Sequence, residues 1–466
     1  MSKTESKNLN SKPRINRWFV FSIVAMALLM NTIDSNIVAT ALHTLQEDLN
    51  TSVSWAGWII TAYAFGFVLM LPLSAKLSTQ FGHRRVFITS VATFTLASLL
   101  CGLSNNIYTL ITMRVLQAVG GAGITPSATG IIVEKFHTAR DKFLGLFGSI
   151  FSIGTMIGPV FGGIFVTYWT WQWIFFINIP IGLMVVILAW CFIPADERKI
   201  IVGGEKMDFV GLLFLAMALL SAMYSGTIIS NNVAGGKYYL FTFLLISSIL
   251  FFALFYRHIK RVPSPFIQAR FISGAGFGTV NILNIAYSGM VIGALSLVPL
   301  YAIKRYGISE INSGTLLVTQ GVASVIMSTI MSINLRRTGY RLPLYIGCSL
   351  TALGVFLLTF HPPSFILPFW WLSLSTLLIG FGFGFMSPAA RNAGIHLEPH
   401  QSANIAAIRS LGLQLGNIFS VAIATTIITI SSNETFAQSM VYLALSVILF
   451  MLLPTISKVP ENRGSW

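Results

Sequence analysis

The sequence predicts an all-α polytopic membrane protein. The composition, the run of long apolar segments and the placement of the basic residues each predict this class. Hydrophobic residues fill 55% of the 466 positions and charged residues only 9%, with a mean hydropathy of +0.78. A soluble domain carries about 25% charged residues. This chain cannot cover its surface with charge, so its solvent is hydrocarbon.

Fourteen segments are long and apolar enough to cross a bilayer, since a spanning helix needs about 20 mainly apolar residues. They lie at 17–41, 53–75, 85–104, 107–133, 143–168, 172–194, 208–229, 238–256, 273–303, 312–333, 342–360, 366–389, 402–430 and 437–455. The first follows a polar, basic stretch without a small-residue cleavage site, so we expect an uncleaved first helix.

The basic residues predict the orientation of these segments. The net charge of +15 resides mostly in short loops and forms no aromatic-interleaved face, which argues against binding of nucleic acid. With the N-terminus in the cytoplasm, the inner segments hold most of the Lys and Arg residues, Arg391 among them. The outer loops then hold Lys237, Lys304 and Arg305. By the positive-inside rule, both termini are cytoplasmic.

Two polar connections, at 194–208 and 256–270, bracket segments 7 and 8. They predict an N-terminal six-helix bundle over 1–195, a two-helix insert with flanking cytoplasmic loops over 196–260, and a C-terminal six-helix bundle over 261–466. Paired bundles of this kind are the usual construction of secondary transporters, with the substrate site between them.

One acidic residue, Asp34, lies well inside a predicted span. A charge at the bilayer centre costs at least about 2.5–3.5 kcal/mol, so it requires an explanation. Asp34 lies ~12 Å and Arg114 ~10 Å below the same predicted boundary at ~1.5 Å per residue, so the two can pair. Asp34 then either binds and releases a proton for coupling or forms a static ion pair that fixes helix packing.

Glu134, at the inner end of segment 4, is the second candidate for proton coupling. It lies ~30 Å from Arg114 along one helix and cannot share the site of Asp34. It serves either as a proton carrier or cation contact at the inner side, or as an interfacial acid that balances Lys135. Arg409, near the inner start of segment 13, is expected to snorkel or brace its helix.

Segment 5 carries the most specific pattern in the chain, G-x8-G-x3-G-P-x2-G-G. Its members are Gly145, Gly154, Gly158, Pro159, Gly162 and Gly163. A face without side chains lets a neighbouring helix approach closely, and the proline removes one backbone hydrogen bond. Ordinary close packing is the alternative interpretation.

With this pattern the sequence resembles the major facilitator superfamily, and within it the bacterial fourteen-helix drug:proton antiporters. The resemblance identifies segment 5 as the antiporter motif, which seals the helix interface against proton leak. RVLQAVGGAG in segment 4 and IDSNIVATAL in segment 1 are similar to family motifs, and imply that Arg114 holds a proton-coupling network around Asp34. WTWQWIFFINIPIG at 169–182 is similar to a further family motif.

The connection between segments 2 and 3 resembles the gating loop of the family. It keeps Gly82, Arg84 and Arg85, whereas Thr79 and Gln80 replace an Asp-Arg pair. That acid latches the cytoplasmic gate in the family, so the latch of this chain stays open to question.

The resemblance implies a proton-coupled multidrug efflux antiporter of the bacterial plasma membrane, a monomer that confers antibiotic resistance. It would export amphipathic, often cationic or zwitterionic drugs, dyes and antiseptics by alternating access, using the proton gradient and no cofactor. Asp34 and Glu134 would contact cargo, and Met30, Trp58 and Tyr63 could line a loose pocket, although lipid contact or packing is the better explanation for any single one of these three.

Two other functions remain open. The first is a transporter, exporter or symporter, for one metabolite or lipid, against which the segment 5 pattern argues. The second is a membrane-embedded enzyme. The histidines fall in loops or at segment ends, and Pro399 interrupts the HLEPH sequence that a zinc-binding helix would need. We therefore predict no metal site and no enzyme.

Overall fold

The computed structural model describes residues 17–51, 53–136, 140–196, 208–232, 238–263, 265, 267–274, 276–431 and 433–461. The regular secondary structure of these residues is helical. The helices that carry the fold are α1 Arg17–Ile37, α2 Val53–Phe81, α3 His83–Gly102, α4 Ile107–Phe136, α5 Arg140–Tyr168, α6 Trp173–Phe192, α7 Phe209–Asn232, α8 Tyr238–Arg261, α9 Phe277–Ser296, α10 Glu310–Thr338, α11 Arg341–Leu357, α12 Pro368–Leu397, α13 Ser402–Ile430 and α14 Glu434–Leu452.

Eleven helices among the described residues are long and apolar enough to cross a membrane, and two shorter apolar helices, Phe209–Ser225 and Arg341–Leu357, accompany them. The all-helical membrane class is therefore confirmed. The count of fourteen crossings, the cytoplasmic termini and the bounds of the three domains stay predictions.

Several predicted boundaries were wrong, because apolar runs do not mark where a helix ends. Helix α12 continues past position 389 to Leu397, so Arg391 is a buried helical residue and not part of a loop. Segment 9 is not one regular helix. It contains a π-helical stretch, Asn284–Met290, and is followed after Leu297 by a separate short helix, Val298–Tyr306.

The first six helices and the last six meet at one end of the bundle. We call this the Gly82 end: α2 ends there, and α3, α5 and α13 begin there. Asn392 of α12 donates to the Asp141 carbonyl at 3.1 Å. Further along α5, Ser149 bonds Thr329 at 3.0 Å and Ser152 bonds Ser324 at 2.8 Å, both partners lying on α10. The first half of α5 thus joins the two sets of helices.

A carboxylate caps the turn at the Gly82 end in each set of helices. Gly82, with φ +96°, opens α3, and Asp196 accepts hydrogen bonds from the backbone N–H of Arg84 at 3.1 and 3.2 Å. Gly339, with φ +71°, opens α11, and Glu461 accepts from the N–H of Tyr340 at 2.8 Å. The first N–H groups of a helix lack intrahelical partners, so a side-chain oxygen there stabilises the helix start.

Candidate functional site

The structure brings Asp34 and Arg114 together. The Arg114 Nη1 group donates to Asp34 Oδ2 at 2.7 Å, and the side chains are 0% and 1% exposed. Asp34 lies three residues before the end of α1, and Arg114 lies two turns into α4. The depths inferred from the sequence therefore match the contact that the fold makes.

Amide groups complete the shell of the carboxylate. Gln117 on α4 and Asn178 on α6 each donate to Asp34 Oδ1 at 2.8 Å. Gln117 also donates to the hydroxyl of Ser98 on α3 at 2.7 Å and accepts from Arg114 at 2.6 Å. Residues of α1, α3, α4 and α6 thus form one network around this carboxylate, and all of these side chains are buried.

An aromatic ring covers the cation of this network. The Arg114 guanidinium lies 4.1 Å from the ring centroid of Tyr63 on α2, and 5.7 Å from that of Phe175. The Tyr63 hydroxyl donates to Asn31 at 3.1 Å and accepts from Ser35 at 3.3 Å. Cation–π contacts of this kind gain strength where water is excluded.

This geometry suits a charged carboxylate. An Asp34 anion that accepts three charge-assisted hydrogen bonds has its charge well compensated. Because Arg114, Gln117 and Asn178 all bond the same carboxylate, the network depends on its charge.

The glycines of segment 5 pack against two different helices. A Cβ atom at Gly154 would lie 2.6 Å from Thr32, and one at Gly158 would lie 2.9 Å from Asn36, both on α1. At Gly145 the obstruction is Ser332 of α10, at 2.5 Å. Gly163 has no heavy atom within 4 Å of that position. The pattern therefore holds the helix that carries Asp34 close to α5.

Glu134 is not brought to this site. It lies near the end of α4, where Lys135 donates to it at 2.6 Å, and its side chain is 36% exposed. With the turn at Gly82, Arg84 and Arg85 it lines a cavity of about 790 Å³ at the Gly82 end, between the two sets of helices. Lys76, His83 and Arg140 on one side and Gln268, His400 and Asn404 on the other also line it.

The three residues expected in a loose pocket lie in different environments. Tyr63 belongs to the network, as described. Met30 is 1% exposed and packs in the hydrophobic core of the first six helices. Trp58 is half-buried on α2 and makes no hydrogen bond or ring contact with the network residues that the structure describes.

Sequence reasoning missed Ser98 and Asn178. Asn178 lies in the FINIP stretch of a motif quoted above, so its identity as a motif residue was a usable signal. Ser98 carried none, because a serine in an apolar helix can satisfy its hydroxyl on its own backbone, as Ser98 also does with the Phe94 carbonyl at 2.8 Å.

The helices carry long apolar segments that can cross a membrane, and the first six and the last six meet at the Gly82 end. The family model of the Major Facilitator Superfamily matches residues 24–421. The chain therefore belongs to the major facilitator superfamily and is a multi-pass membrane transporter, not an enzyme.

The chain is similar to transporters whose named functions differ. The chain is 28% identical over 450 residues to multidrug resistance protein 3 of Bacillus subtilis, covering 94% of this chain and 84% of that protein. It is also 28% identical over 441 residues to the riboflavin transporter RibZ of Clostridioides difficile, covering 91% and 90%. The solved proton:xylose symporter XylE superposes with a TM-score of 0.65 at 13% identity, over 96% of each chain, which shows the shared fold alone.

Proposed function

We propose that this chain is a proton-coupled antiporter of the bacterial plasma membrane that exports amphipathic drugs and dyes. The observation that carries the proposal is the buried carboxylate of Asp34, held by Arg114 and Gln117 on α4 and by Asn178 on α6. Relatives that are named multidrug resistance proteins support export of drugs.

The mechanism is alternating access with a proton and cargo bound in turn. The first half of α5 joins the two sets of helices near the Gly82 end, the predicted cytoplasmic side. In the outward-open state of the cycle a proton reaches Asp34, frees Arg114 and loosens the contact between α1 and α4. Return to the inward state releases the proton and restores the ion pair. Cargo that prefers one charge state of this network supplies the coupling free energy.

Glu134 is the proposed second proton or cation contact, reached from the cavity at the Gly82 end. Its pairing with Lys135 favours a weaker role than that of Asp34, because a half-exposed ion pair contributes little. Drug and proton are the only ligands that the mechanism requires, and the chain would work as a monomer.

The test measures proton release in energised inside-out vesicles with a pH-sensitive dye. Adding ethidium should dissipate the pH gradient with the wild type and not with Asp34→Asn. Glu398→Gln is the matched control, since Glu398 is a partly exposed acid paired with Arg270 at 2.9 Å and should behave as wild type. Coupling that persists in Asp34→Asn would refute the assignment of Asp34.

A second candidate is transport of one metabolite, which the relative named as a riboflavin transporter favours. Efflux of ethidium and of radiolabelled riboflavin from loaded vesicles separates the two. A broad exporter removes ethidium faster than Asp34→Asn does, whereas a dedicated metabolite carrier moves riboflavin and leaves ethidium efflux at the Asp34→Asn level.

A further inference from the structure

Two arginines inside the last six helices have no acidic partner in the part of the chain that the structure describes. Arg391 on α12 is 4% exposed, and Arg409 on α13 is half-buried. Neither guanidinium lies within 4.0 Å of a described carboxylate, and neither donates a hydrogen bond to a described residue. Such groups are costly in a membrane interior unless an anion compensates them.

Helix packing places the two cations together. Helices α12 and α13 contact where a Cβ atom at Gly394 would lie 3.3 Å from Ile405. Arg391 precedes Gly394 by three residues and Arg409 follows Ile405 by four, so each lies about one turn from the contact on the same side.

Aromatic rings of the other bundle face this pair. The guanidinium of Arg391 lies 5.4 Å from the ring centroids of Phe147 and of Phe151, both on α5. Asn284, in the π-helical stretch, donates to the Arg409 carbonyl at 2.7 Å and keeps its own buried Oδ1 without a partner. π-Helical stretches of this kind are frequent at functional sites.

We propose that Arg391 and Arg409 bind the carboxylate of an aromatic cargo molecule. Two planar guanidinium forks match a carboxylate bidentately, and the half-buried ring of Phe151 offers a face on which an aromatic body stacks. The site lies between the two bundles, so cargo would contact both. The inference deepens the proposed function and rests on it, because it names zwitterionic and acidic aromatic compounds as a cargo class.

A matched pair of dyes tests the site by direct binding. Rhodamine B carries a free carboxylate, and its ethyl ester has the same ring system without one. Fluorescence anisotropy is measured with purified full-length protein in phosphatidylcholine nanodiscs. We expect Arg391→Gln and Arg409→Gln each to weaken binding of rhodamine B about tenfold and to change binding of the ester less than about twofold.

Controls separate this site from packing and from lipid. Arg337→Gln, on the exposed end of α10, should bind both dyes as wild type does. Arg391→Lys keeps the charge and should retain part of the rhodamine B affinity even if the glutamine variant folds poorly. Equal losses for both dyes would assign the arginines to packing. Displacement of rhodamine B by added phosphatidylglycerol would assign the site to a lipid headgroup. The proposal is also overturned if the wild type binds rhodamine B no more tightly than Arg391→Gln does.

Binding needs no proton gradient, so this experiment stands apart from the coupling assay. Asp34→Asn should keep the preference for rhodamine B. Loss of coupling with retained carboxylate binding supports both proposals, whereas retained coupling with no carboxylate preference refutes only the anion site.

Discussion

The first six helices and the last six each cap an equivalent turn with a carboxylate, yet they differ in how their buried charges are paired. Asp196 and Glu461 each accept hydrogen bonds at a turn that begins with a glycine of positive φ. Within the first set, the charge of Asp34 is fully paired. Within the last set, Arg391 and Arg409 have no acid among the described residues. The turn is common to both sets, whereas the buried charges differ: the first set holds an internal ion pair, and the last set holds two arginines without an acid among the described residues.

The largest effect that tests this contrast compares two arginine deletions. Arg114→Met leaves Asp34 as an uncompensated buried charge and should lower the free energy of unfolding by about 3–5 kcal/mol. Arg391→Met leaves no charge behind and should change it by less than about 1 kcal/mol, or raise it. Denaturant titration of both variants in mixed micelles measures this, and equal losses would show that the two regions do not differ.

The next largest effect is expected from removing one asparagine side chain in each set of helices. Asn178→Ala removes a donor to a carboxylate and should cost about 1.5–3 kcal/mol, since bonds to charged groups are the stronger ones. Asn284→Ala removes a donor to a carbonyl and should cost about 0.5–1.5 kcal/mol. The same titration measures both. A larger loss for Asn284→Ala would contradict the contrast.

The glycine face supplies a third comparison. Gly158→Ala forces a Cβ atom into Asn36 of α1 and should cost about 1–3 kcal/mol. Gly163→Ala, five residues further along α5, meets open space and should be neutral or stabilising by up to about 1 kcal/mol. Thermal unfolding of the two purified variants checks this, and indistinguishable midpoints would mean that α1 does not pack on these glycines in the membrane.

The smallest effect concerns what the two sets of helices share. Asp196→Ala and Glu461→Ala each remove a side-chain acceptor at a helix start and should each cost about 1 kcal/mol. Similar losses support equivalent caps. A strong effect on transport from Asp196→Ala alone would instead make that carboxylate part of the gate, in place of the acid that Thr79 and Gln80 do not supply.

The sequence by itself determined the membrane class and the matching depths of Asp34 and Arg114, and it predicted a functional role for Asp34. It could do so because hydrocarbon penalises charge steeply, so one acid within a long apolar run is already informative. The glycine spacing in segment 5 was equally informative, because a helix face without side chains lets a neighbouring helix pack closely.

Tertiary structure decided the rest. Asn178 reaches Asp34, and Ser98 reaches Gln117 and Asn178, only because α3 and α6 pack beside α1 and α4. A neutral polar residue in an apolar helix costs little, so the sequence alone does not single it out. The sequence predicts Arg391 in an inner loop because the apolar run of segment 12 ends at position 389. The contact between α12 and α13 places it beside Arg409, and pairwise proximity across helices is a property of packing that composition and spacing do not contain.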